Sequence, residues 1–295
     1  MSKQKQHFVP QVYLRHFCVG KKRNQIYFYD KISSKADITN VINVAQEKDF
    51  YSEISQDDKD RFEKYYSSIV EPTLGVLLNR IISTAVLCTE KTPLLTKHDK
   101  HSLSKMLVYQ MLRTRYARNL TREKADMISE PFMAQLLKVP EFKKRKDFRA
   151  IAEKYRILDD NTLKEISLPL TVDEERLTRY VALIDTMICT FYDNRTEEDF
   201  ITSDNPVIIK RISTDDIGLG AAGLAHLDSM IFFPITPRLA VVLSHNEFLL
   251  SPAFREYENR RWQITQLDIV RTLNKWQFLQ SSRQVYSSKP FILLP

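Results

Sequence analysis

Apolar positions along this chain change their period twice. Near the amino end, Gln25-Ile-Tyr-Phe-Tyr29 follows the turn-like Lys21-Lys-Arg-Asn24 and predicts a strand, with weaker strands at Val41–Val44 and Asp49–Ser52. Ahead of them, Pro10 suits the first turn of a short helix that carries Val12, Tyr13, Leu14 and Phe17 on one apolar side. From Asp57 to about Leu183 the spacing becomes helical. Phe62, Tyr66, Ile69 and Val70 recur at helical intervals, a second apolar run extends from Leu74 to Val86, and Pro93 interrupts the pattern. Thr96 and Asp99 have the spacing of a cap and its third-position acid. In the helix that follows, Leu103, Met106, Leu107, Gln110, Thr114 and Ala117 share one side. Gln110 thus stands in an apolar stripe, where an amide without partners costs on the order of 1–3 kcal/mol. Phe132–Leu137 and Ile151–Ile157 continue the helical pattern, and Thr171-Val-Asp-Glu174 predicts the cap of a helix reaching Ile184.

After Met187 the period shortens to that of strands. Ile188–Tyr192, Phe200–Ser203, Val207–Lys210, Met230–Ile235 and Leu239–Ser244 are short, β-branched or aromatic, and divided by Asp193-Asn194, Asp204-Asn-Pro206 and Thr236-Pro-Arg238. Such brief connections predict an antiparallel meander. A helix from about Gln263 to Leu279 and a strand at Gln284–Ser287 close the chain. The expected class is α+β: a helical middle region, about 57–186, packed on a mainly antiparallel carboxyl-terminal sheet, about 187–295. A small amino-terminal strand region, about 25–53, joins it in one domain spanning 1–295.

Composition refines this picture without changing it. The 295 residues are 43% hydrophobic, enough for a sizeable core, and twelve prolines against five glycines argue against disorder or a Gly-rich repeat. A formal net charge of +7 favours a polyanionic partner, nucleic acid or a nucleotide. Cys18, Cys88 and Cys189 are three, widely spaced and without a C-x-x-C pair, which argues against a disulfide framework or a Cys-rich zinc site and for a reducing cytoplasm. The polar start Met-Ser-Lys-Gln-Lys-Gln-His lacks an apolar signal core, and no charge-free stretch has membrane-spanning length. The expectation is a cytoplasmic protein with no membrane partner.

Candidate chemistry concentrates in Phe200-Ile-Thr-Ser-Asp-Asn-Pro-Val207, where four polar residues stand between apolar flanks and Pro206 fixes the exit. Asp204 has two readings. It closes the turn by accepting backbone N–H groups, or it presents a carboxylate at a strand end as a general base or a divalent-metal ligand. His7, just ahead of a helix start, suits acid–base work or a phosphate contact. Arg113, one turn from Gln110 and nearer the buried edge than Arg115, Arg118 and Arg122, suits holding phosphate. Lys143-Lys-Arg-Lys146 adds a second basic cluster that would extend a phosphate-binding groove if the two converged.

Other patterns exclude more than they assign. His98 and His101 open a helix three apart, a solvated start lacking the further ligands a zinc site needs. Gly218-Leu-Gly-Ala-Ala-Gly223 spells G-x-G-x-x-G, but a polar stretch precedes it and the next strand begins at about Met230. The expected element is therefore a loop between strands, and a dinucleotide site lacks its crossover helix. No G-x-S-x-G elbow, phosphate-binding G-x-x-x-x-G-K-[ST] loop or H-E-x-x-H pair occurs.

His7-x-Val-Pro-x-x-Tyr-Leu-x-x-Phe17, Tyr27-Phe-Tyr-Asp30, the 200–207 motif and Phe233-Pro-Ile-Thr-Pro237 resemble the bacterial domain-of-unknown-function family numbered 4238. The likeness covers both ends of the chain in the right order. It implies one domain and points to His7, Gln110, Arg113, Thr202, Ser203, Asp204 and Pro206, but supplies no reaction. Two functional readings follow. In the first, the protein is a hydrolase acting on nucleic acid or another phosphate-containing substrate, of a kind suited to phage defence or a toxin system. His7, Asp204 and Gln110 carry catalysis, Asp204 holds any divalent metal, and Arg113, Thr202, Ser203 and Asn205 contact substrate. In the second, it is a non-catalytic nucleic-acid-binding or protein-interaction module whose polar cluster locks the fold.

Overall fold

The structure is a computed structural model and describes residues 5–20, 22–52, 60–136, 138–140, 160–218, 223–245 and 253–291. The 143–146 basic cluster, the 151–157 helical pattern and the centre of the Gly-rich segment lie outside the described residues.

Strand β1 (Lys5–His7) leads through Pro10 into the short helix α1 (Gln11–Leu14), which tightens into a 3-10 turn at Arg15–Phe17. Strands β2 (Gln25–Asp30) and β3 (Lys35–Asn40) form an antiparallel hairpin. Val41–Asn43 is a 3-10 turn, not a strand, because the Asn40 side chain accepts the Ile42 N–H and draws the chain round. The fourth strand is β4 (Gln46–Lys48), which pairs with β1 and lies ahead of the strand expected at 49–52.

The middle is helical. Helix α2 (Arg61–Tyr65), a π-turn (Tyr66–Val70) and α3 (Glu71–Leu87) run as one rod. Pro72 explains the π-turn, since its ring removes one N–H of the ladder and crowds the preceding turn, which widens to fit. The rod is long and apolar enough to cross a membrane by composition alone. Here Leu74, Leu77, Leu78 and Ile81 are buried in the core, and Glu71 is ion-paired to Arg113. Gly75 lets α1 approach, since an added Cβ would lie 2.8 Å from Val12 Cγ2.

Helix α4 (Lys97–Leu112) begins with the predicted capping box, Thr96 and Asp99 each bonding the other's backbone. It is followed by α5 (Arg115–Leu136), α6 (Asp160–Leu170) and α7 (Glu174–Asp185). The cap of α7 is Asp173 rather than Thr171: Asp173 accepts the Arg176 N–H, while the Thr171 hydroxyl turns back to the Leu168 carbonyl. Helix α4 packs on α7, and α5 on α6.

Five carboxyl-terminal strands were expected to follow one another in a meander, and they divide between two sheets. Strands β5 (Ile188–Asn194), β7 (Ile208–Arg211), β8 (Ser229–Pro234) and β9 (Leu239–Ser244) form one sheet in the order β5-β9-β8-β7, antiparallel throughout. Strand β10 (Arg261–Ile264) adds to its edge, parallel to β5, where the pattern had predicted the start of a helix. Strand β6 (Thr202–Ser203) leaves this sheet and pairs with β11 (Gln284–Ser287), which also pairs with β2. The amino- and carboxyl-terminal ends thus share a sheet, β3-β2-β11-β6. The last helix, after the short α8 (Ala253–Glu256), is α9 (Leu267–Gln280). One core cluster runs from Phe8 through α3, α4 and β9 to Tyr286 and joins the helical and sheet regions. Strands β7 and β8 are antiparallel neighbours, so the Gly-rich connection between them is no βαβ crossover.

Candidate functional site

The 200–207 motif is held on both edges. On one edge β6 pairs with β11, Thr202 opposite Tyr286 and Ser203 opposite Val285. On the other, α9 presents Asn274, Gln277 and Gln280, three apart along one ridge of the helix. Asn274 accepts the Ile201 N–H at 3.0 Å and donates to the Asp199 carbonyl at 2.9 Å. Gln277 accepts from Ser203 Oγ and donates to the Pro206 carbonyl, both at 2.7 Å. Gln280 accepts the Ile209 N–H at 3.1 Å and donates to the Val207 carbonyl at 2.7 Å. The amides stand in for a neighbouring strand, bonding backbone groups along an edge that no ladder covers among the described residues.

The remaining polar atoms of the motif also point inward. Thr202 Oγ1 lies 2.7 Å from the Tyr13 hydroxyl, which donates to the Pro234 carbonyl. The opening, 200–207 and Phe233–Pro237 motifs thereby meet at one phenol. Asn205 donates its Nδ2 to the Gln280 carbonyl, and its N–H goes to Ser203 Oγ. Asp204 accepts three backbone N–H groups: Ser282 on Oδ1 at 2.8 Å, and Arg283 and Gln284 on Oδ2 at 2.7 and 2.9 Å. Burial pushes the Asp204 carboxyl up, while those three donors pull against it. This is the turn-closing geometry, applied to the α9–β11 junction rather than to its own hairpin. Thr202, Ser203, Asp204 and Asn205 are all buried.

His7, Gln110 and Arg113 come together elsewhere. Gln110, buried in its apolar stripe, finds the Phe8 carbonyl at 3.1 Å. Arg113 ends α4 with its side chain 1% exposed. Its Nε donates to the Tyr51 hydroxyl at 2.8 Å, and Nη2 donates to the His7 carbonyl at 2.6 Å and to Glu71 at 2.8 Å. The guanidinium lies 4.3 Å from the Tyr66 ring centre. Nη1 has no hydrogen-bond partner among the described residues. Burial pushes the His7 imidazole down to about 4, opposed by a hydrogen bond to the Ile42 backbone and reinforced by Arg113 and Lys5. At neutral pH the ring is therefore uncharged, and its Nε2 has no partner among the described residues. Asp204 shares no hydrogen bond or ion pair with this group among the described residues.

Beside Arg113, where α4, α5, α6 and α7 meet, lies a cavity of about 70 Å³. Arg113, Arg118, Lys124 and Arg176 line it, and among the described residues no carboxylate does. Arg118 is fixed by a bond to the Phe50 carbonyl at 2.7 Å, with its guanidinium 3.6 Å from the Phe50 ring centre. Of the four serine and threonine hydroxyls on the lining, those of Thr114, Thr121 and Thr171 donate to backbone carbonyls one turn back. Ser167 Oγ, also buried, has no partner among the described residues. The sequence singled out Arg113 but not Arg176 or Ser167, because α6 and α7 approach α5 only in the folded chain.

The match to known families falls on this whole arrangement. A family described as "Protein of unknown function (DUF4238)" covers residues 5–291. The chain belongs to that family. The DUF4238 match spans both the amide-locked motif and the cation-lined cavity. No curated protein and no solved structure matches the chain.

Glu63 went unnoticed in the sequence. A regular helix would turn Glu63 and Glu71, eight residues apart, by about 80° beyond two full turns. The intervening π-turn takes up that excess and brings the two acids towards one side, near Arg113. Burial pushes the Glu63 carboxyl up to about 7, aided by Glu71 and Asp60 and opposed by Arg113. The signal available was Glu71-Pro72 inside an otherwise helical run. Of the two helix-start histidines, His101 pairs with Asp185 at 2.7 Å on the exposed surface. No group of three or more His, Cys, Asp or Glu placed to hold a metal occurs among the described residues.

Proposed function

We propose that this protein is a binding module for a phosphate-bearing ligand, a nucleotide or a nucleic-acid segment, recognised at the cavity beside Arg113. The observation that carries the reading is the lining: among the described residues, four cationic side chains with hydroxyls among them and no carboxylate. The net charge of +7 supplies a favourable long-range field for the same ligands. In this reading Arg113 is a ligand contact, as its sequence position suggested. Thr202, Ser203, Asp204 and Asn205 serve the fold, since their polar atoms are already spent on backbone and on the amides of α9. The free cysteines Cys18, Cys88 and Cys189 suit a reducing cytoplasm. Titration of single-stranded RNA, single-stranded DNA and ATP at low salt tests the reading. Micromolar binding that weakens as salt rises is expected. Absence of binding to all three at low ionic strength would overturn it.

A hydrolytic reading is favoured by one observation, the Glu63 carboxyl held near neutrality beside Glu71 and Arg113. There Glu63 replaces Asp204 as the acid–base group, and His7, uncharged, acts only as an acceptor. Turnover of a phosphoester by the wild type, abolished in Glu63→Gln, would support it. No turnover of phosphomono- or diester substrates would remove it.

A further inference from the structure

We propose that a second site, the groove walled by α2, α4 and α7, binds a free α-amino acid by its ammonium and carboxylate together, with the side chain lying along the groove's apolar length. The proposal stands apart from the phosphate-binding reading. Leu168, Leu170 and Thr171 line the cavity beside Arg113, whereas Pro169, Val172 and Asp173 of the same α6–α7 junction line the groove.

The groove measures about 870 Å³, within the range of about 300–1,000 Å³ usual for small-molecule sites. His101, Lys105 and Tyr109, four apart on one side of α4, face it together. Phe62, Val172, Leu177 and Val181 supply apolar surface along it. It is open to solvent, so it selects through the chemistry of its walls and not through size.

Those walls carry both signs of charge, on separate elements. Arg61, His101 and Lys105 come from α2 and α4, while Asp173, Glu174 and Asp185 come from α7 and its cap. Most of them are engaged within the protein. His101 Nδ1 lies 2.7 Å from Asp185, Asp173 accepts the Arg176 N–H at 2.7 Å, and the Arg61 guanidinium lies 4.6 Å from the Phe62 ring centre. Lys105 and Glu174, both exposed, have no hydrogen bond or ion pair among the described residues. A lining balanced in this way favours a ligand that carries both charges over a plain anion.

The two unengaged charges meet at Tyr109. Lys105 Nζ lies 5.9 Å from its ring centre. Burial pushes the Tyr109 phenol up, aided by its bond to Tyr65, by the Tyr65 and Tyr66 phenols, and by Glu174, which is near enough to act on it. The phenol therefore stays protonated at neutral pH. The Tyr65 and Tyr109 hydroxyls share one hydrogen bond but carry two protons, so one O–H is left for an acceptor. An ammonium set against Glu174, with a carboxylate against Lys105 and the remaining O–H, describes the head of one α-amino acid. A peptide terminus offers only one of the two charges.

The test is a thermal-shift screen of the full chain against each common amino acid, followed by calorimetric titration of the tightest binder, its N-acetyl derivative and its amide. The free amino acid should bind about tenfold tighter than either derivative, the scale of hydrogen bonds to charged groups. Lys105→Gln should abolish the preference over the amide, and Glu174→Gln the preference over the N-acetyl derivative. Both side chains are exposed, so the melting temperature of each variant should match the wild type. Equal affinity for the free amino acid and both derivatives would overturn recognition of the dipolar head. Binding of no amino acid would overturn the site altogether and leave the phosphate reading to its own test. Unchanged affinities in both variants would place the head elsewhere and overturn the assignment to this groove.

Discussion

Ser203 Oγ donates to Gln277 Oε1 at 2.7 Å, and this one bond decides which way the Gln277 amide faces. With its oxygen taken by Ser203, the amide nitrogen must point to the Pro206 carbonyl, where it sits at 2.7 Å. Pro206 has no N–H to offer a neighbouring strand, so a side-chain donor is the appropriate partner for that edge. The motif that looks most like a site by composition is therefore the inner seam between α9 and the sheet shared by the two chain ends.

Gln277→Ala should test that seam directly. The substitution leaves the Ser203 O–H donor without its acceptor and the Pro206 carbonyl without its donor, each costing about 1–3 kcal/mol. Urea unfolding should show a loss of about 2–5 kcal/mol in all. A loss under about 0.5 kcal/mol, the range of ordinary surface changes, would mean that water replaces the amide and the seam is loose.

What the sequence made legible was whatever depends on local spacing. The α4 capping box, the β2 strand and the Ser203–Asn205 turn all follow from neighbours within a few residues. Gln110 was legible as a buried amide in need of a partner, but not which carbonyl it would find, since Phe8 lies 102 residues away. The same limit hid the destination of β6, because pairing with β11 rather than with β7 is decided by the α9 amides and not by the strand itself. Asn274, Gln277 and Gln280 read as an ordinary polar face until a strand edge is set against them. For the cavity, Arg113 and Arg118 were visible as members of one basic cluster, and Arg113 stood out through its distance of one turn from Gln110.

Asp204→Asn separates a turn-closing acceptor from a chemical group. Asn keeps the volume but replaces one acceptor oxygen with an NH2, which must face N–H donors at Ser282 or at Arg283 and Gln284. The expected cost is about 2–4 kcal/mol, in the range for charge-assisted bonds lost in a buried place. Phosphate-ligand affinity of the folded fraction should be unchanged. A fully stable Asn variant that loses ligand binding would restore Asp204 to the site.

Arg113→Met should be among the most damaging single changes in the helical region. It strands Glu71 beside an apolar side chain and deprives the His7 carbonyl and Tyr51 hydroxyl of their donor. A loss of about 3–5 kcal/mol is expected for breaking such a pair from one side. Glu71→Gln combined with Arg113→Met should cost less than the two single losses added, since no unpaired charge remains. Strict additivity would show that the ion pair contributes nothing.

The pH dependence of stability should contain two opposed slopes that single variants pull apart. His7 is lowered to about 4 from an ordinary 6.5, so between those values the unfolded chain binds more protons than the folded one. Stability from this residue therefore rises with pH from 4 to 6.5 and is lost as the solution is acidified through that window. Glu63 is raised to about 7 from an ordinary 4.5, so here the folded chain binds more protons, and its contribution falls as pH climbs from 4.5 to 7. The wild type should look nearly flat between pH 4.5 and 6.5 because the two trends overlap with opposite sign. Glu63→Gln removes the falling trend, so the variant should gain about 1–2 kcal/mol over wild type at pH 8, with solvent screening discounted, and show a clear acid-side loss. His7→Gln removes the rising trend and should leave a protein whose stability declines from pH 4.5 to 7. Denaturant unfolding of the three proteins across pH 4 to 8 reads both slopes. Parallel profiles for all three would show that neither group titrates between its folded and unfolded values, and the buried environment assigned to both would then be wrong.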